Sequence, residues 1–590
     1  MSTEISLSAF RAELRRQGLN AFMVPMDDAH MGEYSPGSER RIRALSGFLG
    51  SAGFIVVTLD QALIWTDGRY TTAIRAEVDQ SYWTIRDTNA EAPMTCVADF
   101  LQDGDVLGFD PANQTIKSVE GWTEALAPLG ARLQPVTNNP VDAVWTNRSK
   151  PPASAVVPHD VRFAGQSAQD KCRALGQGLA EAGLTAQVLN QSESLAWLLN
   201  ARGDDIDGLP VARSFGTLHA DGSVDWFIAP ERVTDAMRAE LGEMVRLFEP
   251  LQMTAYLQKL SGPVGLDHAT CNAEIAQTLA DAGIETRANR DPVILPRATK
   301  NATEQQGARE AHCRDAVAMI RFSRWLIQHP DIASETELSV AAKVLEFREG
   351  VEDPVPFKGP SFATISAFGG HAALAHYRVT EESNVALGKG RLLLVDSGGQ
   401  YLNGTTDITR VWIPGQQATE RQRRDYTLTL KGHLAIERLR FPPGTTGGQL
   451  DIASRQFLWA EGLDFNHGTG HGIGSYLGVH EGPQVLARSG FGQAFLPGML
   501  VTNEPGFYRE GESGIRIENV ELVVELEDGF LGFETLTLVP YERALIETDL
   551  LTAEEMAQID AYHARVLAEV GPRLDGADLD FLKTETSPLV

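Results

Sequence analysis

Cysteine is scarce in this 590-residue chain: Cys96, Cys172, Cys271 and Cys313 lie far apart and form no Cys-x-x-Cys pair. That spacing excludes a disulfide framework and a thiolate metal site, and it fits a reducing compartment. Long apolar runs are lacking too. No stretch approaches the roughly 20 apolar residues that cross a bilayer, and the amino terminus shows no basic segment followed by an apolar core of the kind that directs secretion. A cytoplasmic location with no membrane partner is the expectation. Basic residues also fall short, 51 Lys and Arg against 79 Asp and Glu, for a formal net charge of −28. Phosphate backbones repel such a chain, so no nucleic-acid partner is expected. Most of the acidic excess reads as solvated surface, and part of it suits a cationic ligand such as a metal ion or a peptide amino terminus.

What is present is an ordinary globular composition, 43 % apolar and 22 % charged, in a chain too long for one core. Residues 1–150 alternate helical patterns with β-branched runs at 53–59 (GFIVVTL) and 62–66 (ALIWT), the second closed by Asp67-Gly68. That alternation suggests an α/β layer domain. The polar segment 147–153, with Pro151 and Pro152, marks the first break. Residues 151–302 repeat the flavour, with a helical pattern at 168–182, an apolar run at 195–199 and a strand pattern at 224–229. A duplicated α/β domain follows as a hypothesis, which unrelated strand orders in the two blocks would refute.

The pattern changes in residues 303–590. Thr303 with Gln306, and Ser334 with Glu337, read as capping boxes that open two helices. Strand-like segments follow at 362–379 and 391–395. Thr419 with Gln422 opens a third helix, a fourth falls near 449–461, and strands return over 499–524. A helix at 553–570 precedes a polar tail. Segregated helices and strands make this an α+β domain, and the repetition suggests internal pseudo-symmetry.

Four segments of that domain concentrate acids, histidines and glycines. In 392–409 (LLLVDSGGQYLNGTTDIT) an apolar run ends at Asp396, a Gly-Gly turn follows, and a second run carries Asp407. Paired as a hairpin, the strands aim both carboxylates into one cavity, although each Asp alone has a commonplace structural explanation. In 466–483 (NHGTGHGIGSYLGVHEGP), His467, His471 and His480 are interleaved with glycines. So many glycines disfavour a helix and let backbone approach a ligand. A lone histidine is usually structural, but three together suit metal binding or proton transfer. Glu504 in 502–508 (TNEPGFY) precedes a proline that holds it extended. In 514–520 (GIRIENV), Arg516 and Glu518 share a strand face opposite Ile515 and Ile517. For either of these two segments alone, a surface ion pair is the simpler reading. Together, four carboxylates and an imidazole suit divalent ions such as Mn²⁺, with Zn²⁺ or Co²⁺ as alternatives. Two dications relieve the repulsion among the acids and lower the pKa of a shared water.

The segments VDSGGQYLNGTTDITR, HGTGHGIGSYLGVHEGP, NEPGFY and GIRIENV resemble the signature blocks of the pita-bread metallopeptidases. That family comprises methionine aminopeptidases, prolidases and Xaa-Pro aminopeptidases. The chain is most similar to the longer, three-domain Xaa-Pro aminopeptidases, since VPMDDAHMGEY, WTDGRY, AWLLNARGDDI and KNATEQQGARE also look like that form. The resemblance implies a pita-bread catalytic domain behind two α/β domains that resemble each other. It implies that Asp396, Asp407, His471, Glu504 and Glu518 bind two divalent metal ions, with Asp407 and Glu518 bridging. His376 and His480 match histidines near the scissile bond, His467 one behind them, and Tyr508 and Arg516 residues that line or order the pocket. Glu504 is then expected to take a proton from the attacking water and pass it to the leaving nitrogen. The implied substrate is a peptide with proline second, prolidase action on Xaa-Pro dipeptides is the alternative, and a homodimer is implied.

Overall fold

A computed structural model gives the fold and describes residues 3–415 and 417–589. The chain divides into two compact units, one from Met1–Val161 and Gln166–Val293, the other from Arg162–Gly165 and Ile294–Val590.

The first unit holds two six-stranded sheets. In spatial order the first runs Thr84–Asp87, Ala62–Thr66, Phe54–Thr58, Ala21–Pro25, Val106–Phe109 and Arg132–Pro135. Its apolar runs are strands because both faces are covered. Phe22, Val24, Ile55, Val57 and Ile64 pack on Phe10 and Leu14 of the helix Leu7–Arg16. The alternate residues Met23, Val56, Leu63 and Trp65 pack on Trp122 and Leu126 of the helix Ile116–Leu126. A strand buried on both sides reads as a continuous apolar run, as these do.

The second sheet runs Val245–Phe248, Val224–Phe227, Phe215–His219, Ala186–Leu189, Val264–Leu266 and Thr286–Ala288. In both sheets the first strand in the chain pairs antiparallel with the second and parallel with the fifth. The second pairs antiparallel with the third, and the outer strands pair parallel. Order and direction match strand for strand, so the two α/β sheets resemble each other as the sequence suggested. The apolar run at 195–199 closes the helix Ser192–Leu198.

The second unit is the α+β pita-bread layer. A three-stranded sheet, Ile365–Phe368, Leu393–Ser397 and Ile408–Trp412, provides one half of it. The other half is five-stranded: Glu481–Leu486, Gly470–Gly472, Leu500–Asn503, Asn519–Glu525 and Leu531–Thr535. The helices Ala302–Ile327, Glu337–Glu349, Glu420–Glu437 and Ala553–Val570 supply its other layers, and all but the five-stranded sheet share one large core with the first half.

Several sequence expectations need correction here. The helix Ala302–Ile327 is capped by Asn301, not Thr303: Asn301 accepts from the amides of Thr303 and Glu304, and Glu304 returns the bond. Asn reaches two exposed amides from outside the helix, whereas Thr303 already lies in its first turn. The next helix, Glu337–Glu349, starts from Thr336 with Ser339 rather than from Ser334. Of 362–379 only Ile365–Phe368 is strand; Gly369, at φ +60, ends it, and a short 3-10 turn Gly369–Ala373 follows. The end of the chain is not a polar tail but a helix, Gly576–Glu585, whose Phe581 and Leu582 are buried in the main core.

Candidate metal centre and active site

The strands Leu393–Ser397 and Ile408–Trp412 pair antiparallel with Asp396 opposite Thr409. Asp407 stands two positions before Thr409 and so projects to the same side. His471 lies on the short strand Gly470–Gly472, pressed between Glu481–Leu486 and Leu500–Asn503. Glycine is required on either side of it: a Cβ on Gly470 would sit 1.8 Å from the Thr502 carbonyl oxygen, and one on Gly472 2.1 Å from that of Glu481. Glu504 and Glu518 occupy the breaks before the strands Gly506–Arg509 and Asn519–Glu525. Backbone bonds fix both, from the Glu504 amide to the Thr469 carbonyl (2.7 Å) and from the Glu518 amide to the Thr409 carbonyl (3.2 Å).

The side chains converge. His471 Nε2 lies 3.6 Å from Asp407 Oδ2 and 3.6 Å from Glu504 Oε1. One ligand atom each from Asp407, His471 and Glu518 falls within 4.8 Å of the others. Arg516 donates to Asp396 Oδ2 at 2.6 Å and stands 3.9 Å from Glu504 Oε2. Tyr508 OH links Arg516 (2.8 Å) to His467 Nε2 (2.7 Å). The His480 ring lies against that of His471, centroids 4.2 Å apart. His376 sits half-buried in the turn after Ala375, whose carbonyl accepts from Arg516 at 3.0 Å.

Nine of the ten candidate site residues are therefore joined by side-chain contacts, and His376 is placed beside them through the backbone of Ala375. Two residues escaped notice. Thr409 donates to Glu518 Oε2 (2.6 Å) and accepts from Arg516 Nε (3.2 Å), so it relays between acid and base. Thr502 Oγ1 accepts from the His471 amide (2.9 Å) and reaches Glu504 Oε1 (3.4 Å). The period-two spacing of Thr409 from Asp407, and of Thr502 from Glu504, was the available signal.

Electrostatically the cavity is under-neutralised. Burial, then the carboxylates of Glu518, Asp396 and Glu504, push Asp407 well above the ordinary carboxylate range. Burial, Glu504 and Asp396 push Glu518 the same way, against Thr409 and Arg516. Burial disfavours the Arg516 charge, but Tyr508 and the surrounding acids outweigh it. Burial raises Tyr508 to about 12, so its hydroxyl stays protonated at neutral pH. Asp396 Oδ1 and Asp407 Oδ1 are buried with no hydrogen-bond partner among the described residues. Buried acceptors of this kind need a ligand, and hard carboxylate oxygens with one imidazole match divalent cations. The residues fit a metal pair.

Comparison with known proteins agrees with that chemistry. The sequence matches metallopeptidase family M24 over residues 306–525 and the C-terminal region of peptidase M24 over 529–589. Residues 7–144 and 147–304 each match a creatinase/prolidase N-terminal domain. A probable Xaa-Pro aminopeptidase P of Coprinopsis cinerea is 35 % identical, covering 100 % of this chain and 99 % of that one. Xaa-Pro aminopeptidase 2 of Sus scrofa is 35 % identical over 100 % of this chain and 89 % of its own. The crystal structure of the X-prolyl aminopeptidase of Caenorhabditis elegans, described as a cytosolic enzyme with a di-nuclear active site, superimposes with a TM-score of 0.91. It is 34 % identical and the match covers 97 % of this chain and 95 % of that one. The Xaa-Pro dipeptidase of Bacillus anthracis, at 23 % identity and a TM-score of 0.52, shares the fold over 64 % of this chain. With a cluster of metal-type ligands on a pita-bread layer, and full-length relatives of one kind, this chain belongs to metallopeptidase family M24, among its long Xaa-Pro aminopeptidases.

Proposed function

We propose that the chain hydrolyses the bond between an N-terminal residue and a following proline in peptides, using two divalent metal ions held by Asp396, Asp407, His471, Glu504 and Glu518. The observation that carries this reading is the convergence of those five side chains, from four segments, in a chain 35 % identical end to end to an Xaa-Pro aminopeptidase. Asp407 and Glu518 would hold the ions together with Asp396, His471 and Glu504, and Mn²⁺ is the proposed native metal, with Zn²⁺ and Co²⁺ suiting the same ligands. When bound, such a pair supplies Lewis-acid activation of water and of the scissile carbonyl.

The chain's own residues do the rest. The acidic cavity attracts the free amine of the substrate, which limits cleavage to the first residue. Glu504 takes the proton of the attacking water and delivers it to the proline nitrogen. His376 or His480 donates a hydrogen bond to the oxygen on which negative charge develops. Arg516 anchors Asp396 through its bond to Oδ2, while Tyr508 and His467 fix the pocket wall through their bonds to Arg516 and to each other. The proline nitrogen is a tertiary amide without a hydrogen, so selection falls to ring shape and fixed φ.

Domain limits near residues 150 and 302, a homodimer and a cytoplasmic location complete the proposal. All four cysteines are free and buried, which suits a reducing compartment. Among the described residues no helix is long and apolar enough to cross a membrane. The test follows free arginine from Arg-Pro-Pro and from Arg-Pro, with metal-stripped protein and after adding Mn²⁺. Release from the tripeptide alone, dependent on metal and abolished in Asp407→Ala, is expected. Preference for the dipeptide would make the chain a prolidase instead.

A further inference from the structure

The turn that carries His376 has little secondary structure of its own. After the strand Ile365–Phe368 come a short 3-10 turn, Gly369–Ala373, and bends through residue 376. Its restraint comes from Glu337, a residue in none of the motif segments. Glu337 opens the helix Glu337–Glu349 and its side chain is fully buried. Its Oε1 accepts from the Phe368 amide (2.7 Å) and from His371 Nδ1 (2.9 Å). Its Oε2 accepts from Tyr377 OH (3.0 Å) and lies 3.0 Å from the same Nδ1. The three donors stand just before the turn, inside it, and immediately after His376. The rings of His371 and Tyr377 stack, centroids 4.7 Å apart at 27°.

The hairpin Gly506–Arg509 and Ser513–Arg516 grips the turn from the other side. Arg516 donates to the Ala375 carbonyl (3.0 Å). A Cβ on Gly514 would stand 1.7 Å from the Ala372 carbonyl oxygen, so only glycine allows that approach. Three donors converging on one buried group call for a side chain that only accepts. A carboxylate meets that need. An amide would set N–H groups against donors already pointing there.

We infer that Glu337 is a positioning residue for the reaction: it touches no substrate and holds the turn so that His376 faces the scissile bond. This rests on the role proposed for His376. The test is a double-mutant cycle on Arg-Pro-Pro hydrolysis in the Mn²⁺-loaded enzyme, with bound metal quantified for each variant. His376→Ala is expected to lower kcat about 100-fold. Glu337→Gln is expected to lower kcat about tenfold, with KM within about twofold and metal content unchanged. In the His376→Ala background the same Glu337→Gln change is expected to alter kcat less than about twofold. An equal loss in both backgrounds, or no loss in the otherwise native enzyme, would overturn the assignment of Glu337 alone. An unchanged kcat in His376→Ala would overturn both readings. Tyr377→Phe, which removes one donor, runs the same cycle if Glu337→Gln fails to fold, with a smaller loss and the same non-additivity expected.

Discussion

Four carboxylates share the catalytic cavity with one guanidinium, and Arg516 places its short bond on Asp396 rather than on Asp407 or Glu518. Those two acids are the ones that burial and mutual repulsion drive toward protonation. In the metal-free chain their folded pKa values stand above the unfolded ones, so folding takes up protons. Their contribution to stability is full below the ordinary carboxylate range and is lost as pH rises through it toward the folded values. Metal ions reverse the trend, because they bind the deprotonated ligands and displace those protons. The metal-free protein is therefore expected to melt at a lower temperature at about pH 8 than at about pH 5, where this linkage acts alone. Mn²⁺ at about a thousandfold excess over its Kd is expected to restore about 4 kcal/mol, and the gain in Tm should be larger at the higher pH. Calorimetric titration in two buffers of different ionisation enthalpy reads the released protons directly. A Tm gain independent of pH, with no proton release, would mean that Asp407 and Glu518 are ionised before metal arrives.

Elements were legible in the sequence wherever a local pattern had a local cause. The runs at 53–59 and 62–66 became the strands Phe54–Thr58 and Ala62–Thr66 because a strand covered on both faces must be apolar throughout. Thr419 with Gln422 is a true capping box, and the helix Ala553–Val570 falls where its periodicity put it. The candidate site residues were legible only in combination, because each acid or histidine alone has an ordinary structural use and four such segments together do not. What escaped depended on contacts distant in sequence. Glu337 reads as a helix-start residue until His371 and Tyr377 fold onto it, and the last helix reads as polar until the core covers Phe581 and Leu582. The cap at Asn301 stands two residues before Thr303, the residue that the sequence reading favoured. It matters to the site, because the helix Ala302–Ile327 backs the loop between Asp396 and Asp407: a Cβ on Gly307 would stand 2.3 Å from the Asn403 carbonyl oxygen. Asn301→Ala is expected to cost about 1 kcal/mol in urea unfolding, while Thr303→Ala, an exposed position, stays within about 0.5 kcal/mol. The reverse ranking would restore Thr303 as the cap.

At the scale of the whole molecule, one apolar patch on the catalytic unit is left uncovered by the described residues. Ile452 (54 % exposed) and Trp459 (43 %) lie one above the other on the helix Ile452–Trp459, seven residues apart and thus on one face. Phe491 (63 %) stands close by, its ring packed over Gly448 just before that helix, and Arg488 extends over the Trp459 ring. Large side chains grouped in this way mark an association surface, and a second copy of the chain is the partner that the family resemblance implies. The inner face of the same helix leads to the catalytic residues. Arg455 donates to the carbonyls of Phe465 and His467 (2.7 and 2.8 Å). Ser454 and Asp451 both bond to Thr469 Oγ1, and the Thr469 carbonyl holds the Glu504 amide at 2.7 Å. A second copy seated on the outer side of this helix would steady His467 and Glu504 on its inner side. Ile452→Glu places a charge in the patch and removes none of those inner bonds. It is expected to convert a dimer to a monomer in sedimentation velocity, and to lower kcat severalfold, on the order of 1 kcal/mol of transition-state stabilisation, while metal content holds. A native chain that sediments as a monomer would remove the patch from the account of assembly, and a fully active monomeric variant would cut the link from the patch to Glu504.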